Sequence, residues 1–367
     1  MASASPLLRQ DSPSMVRFFL ADFVEQAATN QGISLDGPSR PFNGRAAHDP
    51  PLLRPHGPPN HILLFPGSFN PPHTGHLALL RHILFAQGPG VSPIGAVVVL
   101  TDDVKLAAKN HRDERPFLLP KAKRAALWRQ ANVPRDRVWV FDGSEDEWKR
   151  LKGELDTILA RNGISLPFHL LVGPDWISVR SVTDPRSWGC LEAVTSDISR
   201  RVDFRCPHSL RQLPRCSAWV PSALPDTVPS EAAVDGFCGE HVGQGPPTNR
   251  QPRRHLAERG IHAAIDAPRR TTWVCQTLRK PLRRYRFVPS QTADPPPRPA
   301  PSSTEIRRIV ATCDEELLEA ELEKTALGAA LLKAYAVQHG PYSSPVAREK
   351  SPDHVTKKTL ADRAVQW

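Results

Sequence analysis

Gly67-Ser68-Phe69-Asn70-Pro71-Pro72-His73-Thr74-Gly75-His76-Leu77 decides how this chain is read. An apolar run, His61-Ile62-Leu63-Leu64-Phe65, precedes it and stops at Pro66-Gly67, so it reads as a buried strand. After Thr74, the residues Leu77, Leu80, Ile83 and Leu84 recur on one face of a helix running to about Ala86. The quoted segment is therefore a strand-to-helix turn. In an open parallel sheet, ligands bind at the carboxyl ends of strands, where such turns lie. Gly67 can let a phosphate approach the backbone, and the two prolines fix the turn. His73 and His76, three residues apart, can project from one side of the first helical turn. Free main-chain N–H groups and the helix dipole favour an anion there. Gly75 is expected to keep the space between the two rings open for a nucleotide.

The pattern continues outward from this turn. Ile94 to Leu100 is a second buried strand, 116–131 looks helical, and Arg137 to Phe141 is a third strand. Glu145 to Ala160 is helical again, and Phe168 to Val172 is a fourth strand. Strands alternating with helices predict an α/β chain: a Rossmann-like, doubly wound parallel sheet with helices on both faces. The rhythm breaks over 221–270, which is rich in Pro, Gly and Arg and reads as a disordered insertion. It resumes weakly at Thr272-Trp273-Val274-Cys275 and Tyr285-Arg286-Phe287-Val288. A Pro-rich stretch, 294–301, leads to Ser302-Ser303-Thr304-Glu305-Ile306-Arg307, and one helix is expected at about 314–338. Near the start, Val16, Phe19, Leu20, Phe23 and Val24 fall at helical spacing, with Ser12-Pro13 as N-cap and first residue. The expected organisation is an N-terminal helix and linker (1–60), a core in two parts (61–220 and 271–340) around the insertion, and a tail (341–367).

The 367 residues include 39 prolines, placed mainly outside the periodic segments. No apolar run reaches the roughly 18–20 residues that span a bilayer, so no membrane partner is expected. None of the six cysteines forms a C-x-x-C pair, which argues against structural zinc and leaves no metal site to assign. A reducing compartment, cytoplasmic or nuclear, is expected. The net charge is +10, and residues 201–300 hold sixteen Lys/Arg against eight Asp/Glu. Aromatic residues that could stack on bases are sparse there. The excess is read as a solvated, Arg-rich loop rather than a nucleic-acid surface.

The quoted turn resembles the signature of nicotinamide/nicotinate mononucleotide adenylyltransferases, within the HxGH nucleotidyltransferase superfamily. A second signature of that family, Ser-Thr-x-x-Arg at the start of a late helix, is matched by Ser303-Thr304-Glu305-Ile306-Arg307. Two hydroxyls and a guanidinium at a helix N-terminus suit a polyphosphate, although the same residues also read as an ordinary capping motif. A third, partial match is Gly173-Pro174-Asp175, followed by Trp176, which is expected to pack nearby. The resemblance covers about 61–180 and 270–320 and implies transfer of the adenylyl group of ATP to a mononucleotide. His73, His76 and Arg307 would be catalytic. Gly67, Ser68, Phe69, Gly75, Asp175, Ser303 and Thr304 would join His76 and Arg307 in binding ATP. Asn70 and either Lys105 or Lys109 would reach the other substrate or the phosphates. Mg²⁺ would enter bound to the nucleotide.

The chain departs from the pattern at one point. Eukaryotic members carry a Trp after the third strand that stacks on the nicotinamide ring; Ser144 stands in that register, with Trp148 a little later. The proline-rich insertion resembles a divergent, fungal-type branch. Two alternatives stay open at this stage. One is another adenylyl- or cytidylyltransferase of the superfamily, and the other is an ATP-binding or ATP-hydrolysing regulatory relative.

Overall fold

The computed structural model describes residues 17–35, 37, 40–55, 59–85, 92–111, 114–206, 209–222, 271–290 and 300–345. The expected insertion (221–270), the Pro-rich stretch (294–301), the tail (341–367) and the Ser12-Pro13 cap lie wholly or mostly outside them.

In chain order the elements are β1 (Phe18–Phe19), α1 (Leu20–Asn30), β2 (Leu52–Leu53), β3 (His61–Gly67), α2 (Thr74–Leu84), β4 (Pro93–Leu100), α3 (Asp103–Lys109), α4 (Lys121–Gln130), β5 (Val138–Phe141), α5 (Glu145–Arg161), β6 (Phe168–Leu171), β7 (Glu192–Thr195), β8 (Val220–Pro221), β9 (Trp273–Gln276), β10 (Arg284–Phe287), α6 (Ser303–Thr312), α7 (Glu315–Glu323) and α8 (Ala329–His339). The main sheet runs β5-β4-β3-β6-β7-β10-β9-β8. Its first six strands are parallel, and β9 and β8 add on antiparallel. The expected parallel, doubly wound arrangement holds for the core, with an antiparallel edge that periodicity did not reveal.

The strands read as continuous apolar runs because both faces are covered. Ile62, Leu64, Val97, Val99, Trp139 and Phe141 face one layer, shared with Val24 of α1 and Trp148, Leu151 and Leu155 of α5. The alternate residues Leu63, Phe65, Ala96, Val98, Leu100, Val138 and Val140 face the other, with Leu79, Leu80 and Ile83 of α2 and Trp128 of α4. A third cluster joins Phe117, Leu119 and Leu127 to Ile306, Leu318, Leu322 and Leu332 of the three last helices.

The structure corrects several expected boundaries. The N-terminal helix starts at Leu20, because Phe18 and Phe19 pair instead with Leu53 and Leu52. Within the expected 34–60 linker, Phe42 (1% exposed) and Leu53 (4%) enter the core. The helix expected at 116–131 is confined to α4, and 116–120 stays extended. The single helix expected at 314–338 is two, α7 and α8, broken at a turn that ends on Gly328 with a left-handed φ of 64°. A β-carbon at Gly328 would be strained by that φ and would sit 3.2 Å from Leu127.

Candidate active site

The chain runs outward from β3 through β4 to β5, then returns to β6 on the other side of β3. The carboxyl ends of β3 and β6 therefore flank a topological switch point, the place where such sheets bind ligands. The turn 67–76 sits there. His73 caps α2, and the two histidines bind each other's backbone. The His76 N–H donates to His73 Nδ1 at 3.3 Å, and the His73 N–H donates to His76 Nδ1 at 3.2 Å. Their rings stack at 3.5 Å between centroids. Burial, then the nearby positive charge of Arg200, lowers the His73 pKa to about 3. Burial, then His73 and Arg200, holds His76 well below its ordinary range. Both rings are therefore neutral at pH 7. Because each Nδ1 accepts a main-chain N–H, each proton sits on Nε2. The pair offers two neutral N–H donors, not two imidazolium cations.

The glycines act differently from expectation. A β-carbon on Gly75 would lie 3.1 Å from the His73 ring and 3.3 Å from Ser199, so that space is taken by protein rather than left for a nucleotide. A β-carbon on Gly67 would meet the Phe69 ring at 2.7 Å. Phe69 is buried, has a positive φ of 44°, and packs edge-on against His76 at 4.9 Å and Trp128 at 5.1 Å. Its ring orients His76, leaving only its backbone to meet a ligand.

The late helices come to the same turn. Ser303 Oγ donates to the Pro71 carbonyl at 2.8 Å, and Arg307 Nη1 donates to the Asn70 carbonyl at 2.8 Å. Arg307 Nη2 also donates to Thr304 Oγ1 at 3.2 Å, while Ser302 caps α6 by accepting from the Glu305 N–H. The α7–α8 turn closes on the far side: Thr74 N–H donates to the Thr325 carbonyl, Leu327 N–H to Pro72, and Ala326 bridges His73. His73, His76, Ser303, Thr304 and Arg307 are thus assembled around one short turn.

Other expected residues have defined partners. Asn70 is 2% exposed; its amide donates to the Phe117 carbonyl and accepts from Leu119 N–H, so it ties the turn to the extended 117–119 segment. Asp175 stands beyond β6 and pairs with Arg200 at 2.6 Å. Trp176, expected to pack, is 59% exposed. Lys105 pairs with Glu145 at 2.6 Å, and Lys109 ends α3. Ser144 caps α5, and Trp148 is buried against Trp139, Phe141 and Phe168. Neither can stack on a ligand ring.

Two arginines escaped the sequence reading. Arg124, in the basic stretch Lys121–Arg129, is fully buried beneath the site; it donates to the carbonyls of Ser68 (2.7 Å), Thr101 (2.8 Å) and Leu119 (2.9 Å) and pairs with Asp103. It braces the loops after β3 and β4. Arg200 follows β7, a strand too short and polar to be recognised from its pattern. The only cue was an Arg shortly after an apolar-polar step, which is too common to be a signal.

Residues 64–185 match the family model described as cytidylyltransferase-like. The matched segment includes the histidine turn and Asp175, while Arg200 and the Ser303–Arg307 helix lie beyond it. The chain is also similar in structure to the nicotinic acid mononucleotide adenylyltransferase of Plasmodium falciparum. The complex with NaAD aligns at 9% identity with a TM-score of 0.37, covering 76% of this chain and 96% of that one. The complex with APC aligns at 10% identity with a TM-score of 0.36, over the same shares. No curated protein matches the chain. Among the described residues, no helix is long and apolar enough to cross a membrane.

Proposed function

We propose that the chain transfers the adenylyl group of ATP to nicotinamide or nicotinate mononucleotide, giving NAD or its acid form and releasing pyrophosphate. The observation that supports this reading most is the contact between Arg307 and the Asn70 carbonyl, which seats the late arginine helix against the histidine turn. A phosphate oxygen of the mononucleotide attacks the α-phosphorus in line. The bond from that phosphorus to the β-phosphate oxygen breaks, and pyrophosphate departs. No covalent enzyme intermediate is needed, so positioning and charge neutralisation carry the catalysis. The Nε2–H groups of His73 and His76 donate to phosphate oxygens as charge redistributes toward the leaving group. Arg307, Ser303 and Thr304 hold the β- and γ-phosphates.

Two nearby carboxylates are already committed: Asp102 to Lys121 and Asp103 to Arg124. Mg²⁺ therefore fits as an ion carried by phosphate oxygens and water, where it neutralises the triphosphate. The preference for adenylyl over cytidylyl transfer rests on the resemblance, since cytidylyltransferases usually end the second motif on Ser or Thr where this chain carries Arg307; the triphosphate itself is the same in ATP and CTP.

The test is incubation of the purified chain with ATP, Mg²⁺ and each mononucleotide, with the product identified by mass. NAD or its acid form, with pyrophosphate, is the expected product. Release of ADP or AMP without any dinucleotide would overturn the assigned acceptor and favour an ATP-hydrolysing relative.

A further inference from the structure

We propose that Arg200 is a second cationic ligand of the polyphosphate, beside Arg307, at the histidine turn; this rests on the reading of the site as a nucleotide site. β3, β6 and β7 are neighbours in the sheet. Their carboxyl ends carry His73 and His76, Asp175, and Arg200 respectively. The loop after β7 reaches the histidine turn directly, since Ser199 lies 3.3 Å from where a Gly75 β-carbon would stand. The positive charge of Arg200 is felt at both histidines, where it opposes protonation.

The loop is held rather than loosely draped. Buried Asp197 accepts from the Ser290 N–H at 2.7 Å and pairs with Arg205, and Ile198 N–H donates to Ser196 Oγ. Thr195 Oγ1 ties the strand end to the Val172 carbonyl beside β6. Arg200 thus starts from a fixed base.

Among the described residues it pairs with Asp175, at 2.6 Å, with side chains 39% and 66% exposed respectively. An ion pair this open to water is weak. A phosphate carries more charge and more acceptor oxygens than one carboxylate, and a guanidinium binds it through paired hydrogen bonds. Arg200 therefore exchanges Asp175 for the nucleotide when the site fills. Asp175 serves as a placeholder that keeps the guanidinium beside the empty site. The local chemistry fits an anion: two neutral N–H donors with a guanidinium close by.

The test uses the full chain, with inorganic tripolyphosphate and ATP as probes, titrated by calorimetry alongside steady-state assays. Arg200→Ala is expected to weaken binding of both probes about 10- to 100-fold, the usual loss for a hydrogen bond to a charged group. Arg200→Lys should fall between wild type and alanine. Arg201→Ala, an exposed neighbour, should bind as wild type does and controls for net charge. Tripolyphosphate binding and turnover that survive Arg200→Ala unchanged would overturn the proposal while leaving the proposed function intact. A wild-type chain that binds neither probe would instead sink the nucleotide reading itself.

Discussion

At the residue scale, the proposed chemistry turns on the two histidines. They are the kind of group usually invoked as a proton-switching cation near neutral pH. Here each Nδ1 is tied to a main-chain N–H, and burial with Arg200 nearby keeps both rings uncharged. Stability carries the same signature. A histidine whose pKa falls from 6.5 to about 3 on folding stabilises the fold fully above about pH 6.5 and loses that contribution as pH drops toward 3. The melting temperature of the wild type is therefore expected to fall between pH 7 and 4, and the fall should be shallower in His73→Gln. Equal slopes in the two proteins would contradict the neutral, buried pair. For function, His76→Ala should cut turnover about 10²- to 10³-fold with a cooperative melt retained, as expected for loss of one preorganised donor. Near-normal turnover would remove His76 from the machinery.

Both histidines, Arg307 and the capping residues of α6 were legible in the sequence because motif and element boundary coincide. A helix start needs particular residues, and under the proposed function this one would carry the phosphate contacts on the same residues. Arg124 and Arg200 were not legible, since their roles come from burial and loop packing rather than from spacing.

At the element scale, the site is a junction of loops braced from below. Arg124 shows what the pattern of α4 concealed: Lys121–Gln130 carries five basic or polar positions, yet its fourth residue is buried. One guanidinium there satisfies three carbonyls from three separate segments. Arg124→Met keeps the volume but leaves those carbonyls without their donor. The variant is expected to lose about 3 kcal/mol or more of stability, measured by urea unfolding, and to lose turnover because the turn 67–76 relaxes. A variant as stable as wild type would show that water or other donors replace the guanidinium at no cost. The break between α7 and α8 belongs to this scale as well. Its apolar positions are continuous with a single long helix, and only the left-handed Gly328 and the contacts of Thr325 to Leu327 with the histidine turn end it. The turn exists to reach the site, and that purpose is tertiary.

At the scale of the molecule, the strands β3 to β6 and their crossover helices were readable because continuous apolar strands alternate with amphipathic helices. β7 was not, nor was the antiparallel direction of β9 and β8. β7 opens on Glu192, whose carboxylate is buried with Arg286 and His169 in a chain of polar groups that also includes His61. A strand that begins on a buried ion pair hides its own apolar pattern, because the charge reads as surface until its partners are known. The sheet nonetheless delivers what the site needs, by placing three carboxyl ends side by side and bringing a helix from more than 200 residues later against them. The crystal structure of the chain with a non-hydrolysable ATP analogue and Mg²⁺ tests this most directly. One triphosphate should lie within hydrogen-bonding distance of both His76 Nε2 and the Arg307 guanidinium. An analogue bound elsewhere, or touching one of these groups while the other still turns away, would contradict the account.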